Sequence, residues 1–421
     1  MTIPAGTTPL PGLVIGFAKA LDLVNPRLTD HHARTAYVAA AVAEELAWPA
    51  SARSEVVLAS LLHDCGALSS VERLGALSFD LAGPFRHAEV GYILLSQFKP
   101  FAAAADAVRH HHVDWNGSVG VDSIPASAHV LHLADRVAVL VDPARPLGQQ
   151  ASGILATVRE RSGTNFLPQA AEALLRAGRD PAFWDGLVSP DLSPSLLCGC
   201  HEVRVNLDLK GLRDLARFLC HVIDFRSRFT ATHSTGVATA AGALAGLLGL
   251  PPEESARVEI AGYLHDVGKL AVPEQILEKP GRLEAGEVAE VRRHAWLTLE
   301  VLRAIPGLGE IVSWAAQHHE RLDGRGYPFG LPGEELSTGS RIVAVADVFT
   351  ALIEDRPYRP AVADDAVRRI LAEEAAHGAL DTTVVNAALA HFQALKVRCR
   401  AQQAAARAEY EALEHLAARS A

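Results

Sequence analysis

Seven side chains in the second half of this 421-residue chain have the chemistry of metal ligands: His233, His265, Asp266, His294, His318, His319 and Asp347. Imidazole and carboxylate hold divalent ions of intermediate softness, and a hydrolytic centre must leave one position open for water. Seven ligands exceed what one open four-coordinate ion takes, so the set predicts a pair of ions. A metal pair can stabilise both the attacking and the leaving oxygen of a phosphoryl displacement. The adjacent His265-Asp266 suits such a pair, because a carboxylate beside a ligating imidazole can bridge the ions. A solitary histidine on an Ala- and Leu-rich helix is ordinarily an interior hydrogen-bonded group. The number of candidates here argues against that reading.

Directly after the histidine pair comes Glu320-Arg321-Leu322-Asp323-Gly324-Arg325-Gly326-Tyr327-Pro328. Gly324, Gly326 and Gly330 admit backbone angles closed to other residues, and the turn carries one aromatic ring, Tyr327, and one proline.

The first half repeats the pattern. His31 and His63 stand 32 positions apart, as do His233 and His265; His87 and His111 stand 24 apart, as do His294 and His318. Leu62-His63-Asp64 parallels Leu264-His265-Asp266, His111-His112 parallels His318-His319, and Ala134-Asp135 parallels Ala346-Asp347. This is a tandem duplication with an offset near 202 residues. Two intervals are five residues shorter in the first copy: 24 against 29 from His63 to His87, and 23 against 28 from His112 to Asp135. The second shortening removes the Gly-Tyr-Pro loop, and Ala67 stands where the second copy has Lys269. The first copy keeps His31, His63, Asp64, His87, His111, His112 and Asp135 without the groups that would hold an anion.

With these residues in view, the second copy resembles the HD-GYP phosphodiesterases, a branch of the HD phosphohydrolase superfamily, over roughly Asp224 to Ala361. The motifs are His265-Asp266-Val267-Gly268-Lys269, Lys279-Pro280-Gly281-Arg282-Leu283, His294, the block from His318 to Pro328, Ala346-Asp347-Val348-Phe349 and Arg356-Pro357-Tyr358-Arg359. The resemblance implies an all-α fold of two tandem HD-type domains and hydrolysis of a cyclic dinucleotide, most often cyclic di-GMP to pGpG or GMP. It implies that the seven residues named above ligate metal and that Lys269, Arg356 and Arg359 contact substrate phosphates. Gly326 and Tyr327 belong to the loop lining the pocket. Members with three metals resemble this pattern but carry a glutamate four residues before the first histidine; Phe229 stands there, so two divalent ions, iron or manganese, are expected. In the implied route water displaces the ribose 3′ oxygen in line at phosphorus, with Asp266 between the ions and Lys269 beside the phosphate. Guanidinium groups suit bidentate phosphate contacts.

Positioning these groups requires helices. Alanine-rich stretches of helical spacing dominate, as in Val38 to Leu46 and Ala366 to Ala376, and strand-like alternation is scarce. The predicted organisation is a degenerate HD domain over 13–176, a connection over 177–206 marked by the prolines of Pro181 to Pro194, an HD-GYP domain over 207–392 and a C-terminal helix over 393–421. The apolar run Val237 to Pro252 is shorter than the about 18 to 20 residues a membrane span needs, and reads as a buried helix. No secretory signal is expected at the N-terminus. Five cysteines at 65, 198, 200, 220 and 399 form no paired framework, which fits reduced thiols in a cytoplasm. A net charge of -10 argues against general nucleic-acid binding, which depends on lysine and arginine. A homodimer or a signalling partner protein is compatible with this reading. Two alternatives remain at the level of sequence: an HD phosphohydrolase acting on cyclic GMP-AMP or another nucleotide, and a scaffold that binds the nucleotide without turnover.

Overall fold

The computed structural model describes residues 8–23, 29–67, 79, 86–116, 124–142, 144–200, 202–203, 205–224, 232–277, 279, 281–355 and 361–420. Among them are twenty α-helices and one pair of two-residue strands, Thr8–Pro9 and Asn206–Leu207, so the protein is all-α. The chain divides into two compact units built on Pro9–Asn206 and Leu207–Ala412.

The first unit contains α1 (Leu10–Asp22), α2 (His31–Glu45), α3 (Ala50–Leu62), α4 (Arg86–Ser96) and α5 (Ala102–Arg109). It continues with α6 (Ala126–Leu140), α7 (Ala151–Arg161), α8 (Pro168–Ala177), α9 (Pro181–Leu187) and α10 (Ser193–Gly199). The second begins with α11 (Leu209–Asp224), α12 (His233–Leu247), α13 (Pro252–Leu264), the short α14 (Glu274–Leu277) and α15 (Ala285–Arg303). Then come α16 (Ile311–Ala316), α17 (Thr338–Ile353), α18 (Asp364–Ala376), α19 (Thr382–Ala390) and α20 (Phe392–Ser420). Helices α1 to α8 thus recur in order as α11 to α13 and α15 to α19, with α14 as an insertion.

Local chemistry sets the helix starts. α3 follows Pro49, and α13 begins at Pro252 with Glu253 and Glu254 in its first turn, where acidic groups meet the positive end of the helix dipole. α15 opens with reciprocal side-chain to backbone bonds between Glu284 and Glu287, and the Ser337 hydroxyl accepts from Ser340 N at the start of α17. The apolar faces then pack. Val38 and Val42 of α2, Val56 of α3, and Val130, Leu133 and Val137 of α6 are buried together with Phe166 and Leu174. In the second unit Val237, Ala241 and Leu244 of α12, Val258 and Ala261 of α13, and Ile342, Val345 and Phe349 of α17 are buried. Burial of each large side chain of this kind contributes about 1.5 to 3 kcal/mol.

The apolar run Val237 to Pro252 is α12, a turn and the start of α13, and no helix among the described residues is long and apolar enough to cross a membrane. The segment predicted as a plain connection differs from that expectation. Pro181 is the first residue of α9, with the Asp180 carboxylate accepting from Ala182 N, and Phe183, Trp184 and Leu187 are buried in the core of the first unit. Proline at a helix start costs nothing, because that N–H has no partner inside the helix anyway, so prolines there mark beginnings rather than breaks.

Candidate metal centres

In the second unit the seven predicted ligands converge from α12, the end of α13, α15, the end of α16 and α17. His233, His265 and Asp347 bring their ligand atoms within 4.8 Å of one another, and so do His294, His318 and His319. Asp266 lies between the two groups: Oδ2 is 3.1 Å from His265 Nε2, and Oδ1 is 3.4 Å from His294 Nε2 and 3.9 Å from His318 Nε2.

The backbone fixes the ring orientations. His265, His294 and His318 each donate Nδ1–H to the carbonyl three residues earlier, those of Gly262, Val291 and Ala315, at 2.8, 2.6 and 2.7 Å. A neutral imidazole that donates from Nδ1 presents a lone pair at Nε2, the state in which histidine ligates metal. Burial holds His318 well below its ordinary pKa and His294 down at about 3, so neither ring carries the second proton. Their Nε2 atoms nevertheless stand 3.1 Å apart, two lone pairs facing each other. His265 Nε2 and Asp266 Oδ1 are buried with no hydrogen-bond partner. Among the described residues no polar group answers these two atoms, an arrangement that fits a group of cations.

The carboxylates are ionised. Burial alone would raise Asp266, but His265 and then Lys269 outweigh it and hold the group well below the usual range. His233 differs from His294, His318 and His319: burial works against its charge, yet Glu354 and Asp347 lift it to about 10. Its Nε2 lies 3.1 Å from Asp347 Oδ1 and its Nδ1 3.0 Å from Glu354 Oε1. A cation at Nε2 would take the place of the proton there, leaving Glu354 to accept from Nδ1 and orient the ring, the usual partner of a ligating histidine. Nothing in the sequence marked Glu354, which is 121 residues from His233.

Two glycines explain how the chain comes this close. A Cβ on Gly268 would lie 2.0 Å from the carbonyl oxygen of His294, and one on the corresponding Gly66 would lie 2.2 Å from that of His87. Only glycine lets the turn after each His-Asp pair press against the helix carrying the next ligand. Lys269, on the short 3₁₀ turn Val267–Ala271, donates to Asp266 Oδ2 at 2.6 Å and retains partial exposure.

The Gly-Tyr-Pro loop is held by a residue that the sequence had not singled out. The Glu320 carboxylate, 3% exposed, accepts from Phe329 N at 2.7 Å, Gly330 N at 3.3 Å and Leu331 N at 3.0 Å. Tyr327 N donates to His319 O, and a Cβ on Gly326 would meet Glu320 Cα at 2.4 Å, so the loop folds back directly onto the histidine pair. The Tyr327 ring packs on His319 at 4.6 Å between centroids, and the Arg292 guanidinium lies over it at 5.0 Å. The ring expected to line the pocket is therefore already engaged by protein groups. Arg356 and Arg359, like Phe229, lie outside the described residues.

The first unit builds the same arrangement. His31, His63 and Asp135 form one buried group, and Asp64, His87, His111 and His112 another. His63 and His111 donate Nδ1–H to Ser60 O and Val108 O, and the Nε2 atoms of His87 and His112 stand 2.7 Å apart. Asp135 has an added neighbour: Arg136, 2% exposed, donates to its Oδ2 at 2.6 Å. The shortened segment leaves Val113 in the place of Glu320 and Ala67, fully buried, in the place of Lys269.

Comparison with known proteins agrees with this geometry. Models of the HD domain match residues 28–140 and 217–384. The 3'3'-cGAMP-specific phosphodiesterase 1 of Vibrio cholerae serotype O1 is 31% identical over 388 residues, 89% of this chain and 90% of that protein. The cyclic di-GMP phosphodiesterase response regulator RpfG of Xanthomonas campestris pv. campestris is 38% identical over 179 residues, 42% of this chain and 46% of that protein. A solved structure of a cyclic GMP-AMP specific phosphodiesterase of V. cholerae superposes with a TM-score of 0.65 at 24% identity, over 95% of this chain and 98% of that one. At that identity the superposition establishes a shared fold and nothing further.

Proposed function

This chain belongs to the HD-domain cyclic dinucleotide phosphodiesterases, with two HD domains in tandem, and from that premise we propose that the second unit hydrolyses 3'3'-cGAMP at a binuclear centre. His233, His265 and Asp347 would hold one ion, His294, His318 and His319 the other, and Asp266 both. These mixed imidazole and carboxylate sets suit iron or manganese. The observation that carries the reading is the pair of histidine groups facing across Asp266, with the ring nitrogens turned inward by main-chain carbonyls.

When bound, a pair of divalent ions lowers the pKa of water toward neutrality and polarises phosphoryl oxygens. The chain itself supplies position and charge. Lys269, partly exposed and one turn from His265, is placed to leave Asp266 for a substrate phosphate. Glu320 holds the loop over the histidine pair, and Arg292 sets a guanidinium beside Tyr327 at the same place. Arg356 and Arg359 complete the cationic set by sequence position.

The choice of 3'3'-cGAMP rests on the relative that matches along the whole tandem arrangement. Cyclic di-GMP is the second reading, supported by the 38% identity over 42% of this chain to an enzyme bearing that name. Incubating the manganese- or iron-loaded chain with each dinucleotide, separately and in competition, and resolving the products by chromatography separates them. The proposal expects linear products, with kcat/KM for 3'3'-cGAMP at least about tenfold above that for cyclic di-GMP, a difference of about 1.4 kcal/mol in the transition state. The reverse preference selects the second reading, and cleavage of neither by metal-loaded protein rejects both.

A further inference from the structure

The two units differ beside the first histidine of their ligand sets. In the second unit His233 is followed by Ser234; in the first, His31 is followed by a second buried imidazole, His32. His32 points inward. Its ligand atom, with those of His63 and Asp64, forms a group spanning no more than 4.8 Å, and its ring lies 4.9 Å from that of His63. On the far side, the buried Asp22 at the end of α1 accepts Nδ1–H of His32 through Oδ1 at 2.5 Å. A histidine that donates one ring nitrogen to a buried carboxylate and turns the other toward an imidazole and a carboxylate has the environment typical of a metal ligand.

The second unit makes the corresponding carboxylate contact differently. There Glu354, seven residues after Asp347, reaches Nδ1 of His233 itself. The residue seven after Asp135 is Asp142, whose Oδ1 instead accepts from Ala144 N in its own turn. The orienting carboxylate has moved from the end of α17 in one unit to the end of α1 in the other, and the histidine it orients has moved by one position.

We propose that His32, oriented by Asp22, is an additional ligand of the first unit, binding a divalent transition ion together with His63 and Asp64. The first centre then has eight protein ligands where the second has seven, so its ion is more enclosed and more firmly held. This rests on reading the first-unit cluster as a metal site, and the experiment tests the two separately.

The full chain carrying His265→Ala and Asp266→Ala, to empty the second centre, is loaded with manganese, dialysed against graded chelator and assayed for metal per chain. In that background the parent retains metal, His32→Asn, which keeps a donor for Asp22 but lacks the imidazole, binds it about 10- to 100-fold more weakly, and Asp22→Asn weakens it less. Cobalt substitution gives a second readout, because loss of one imidazole changes the visible absorption of the ion while circular dichroism reports an intact helical fold. A parent that takes up no metal overturns both the proposal and the reading of the first cluster. A folded His32→Asn chain with unchanged retention and an unchanged cobalt spectrum overturns the role of His32 alone.

Discussion

The first and second units bring the same seven residue types to the same relative places, each with histidine nitrogens turned inward by main-chain carbonyls and an aspartate between two groups. They differ in what surrounds that set. The second unit has Lys269 on Asp266, Glu320 beneath an extended loop, and Tyr327 with Arg292 at its edge. The first has Ala67, Val113 and a segment five residues shorter. The groups able to ligate metal and the groups proposed to hold substrate are thus separable on one scaffold. The candidate ligands sit on or at the ends of packed helices that also form the core, so losing them leaves buried orphan groups, whereas Lys269, Glu320 and Tyr327 sit on turns that can shorten without disturbing the core.

The sharpest way to break this comparison is to remove the His-Asp pair from each unit in turn. His265→Ala with Asp266→Ala is expected to lower cyclic dinucleotide turnover at least about a thousandfold, since the metal centre supplies several kcal/mol at about 1.4 kcal/mol per decade. His63→Ala with Asp64→Ala is expected to leave it within about twofold. Equal losses in steady-state kinetics, with helical content intact by circular dichroism, would show that the units do not divide the work in this way. Next in size, Lys269→Ala should cost about 10- to 100-fold in kcat/KM with metal content unchanged, the scale of one lost charged donor. Loss of metal with the lysine would instead assign it to the centre's stability.

A smaller effect is expected at Glu320. Its alanine variant leaves three backbone N–H groups without their acceptor and should lower kcat/KM about tenfold through a misplaced loop, with metal per chain preserved and partial recovery in Glu320→Gln, which keeps one acceptor. A variant with native kinetics would show that the loop is held by other contacts. The smallest change is expected for Arg292→Ala. An exposed guanidinium over a half-buried ring contributes about 0.5 to 1 kcal/mol, so KM should rise about two- to fivefold with kcat unchanged. A fall in kcat alone would contradict a role in binding.

Helical spacing and the short-range starts of helices were legible along the chain, because both depend on residues a few positions apart. The duplication was legible because equal intervals between ligands survive wherever helix lengths are conserved. The connection was misread: Pro181 begins a helix whose Phe183 and Trp184 enter the core, which becomes evident only when the partners that bury them are in place. Glu354, Arg292 and Asp22 were not legible either. Each acts on a residue brought near by packing, as Glu354 does on His233 across 121 positions, and no local pattern marks such a pair. Glu320 adjoins the histidines and reads as one more polar residue or one more ligand until its carboxylate is seen facing three backbone N–H groups.

What the amino-acid order determined by itself is the helical class, the tandem arrangement and the inventory of groups able to ligate metal, since these follow from periodicity and side-chain chemistry. The tertiary structure decided which nitrogen of each ring faces inward, which carboxylate orients which histidine, and what holds the loop of the second unit against its histidine pair. Hydrogen-bond direction and burial are properties of the packed chain, and they exist only once segments more than a hundred residues apart have met.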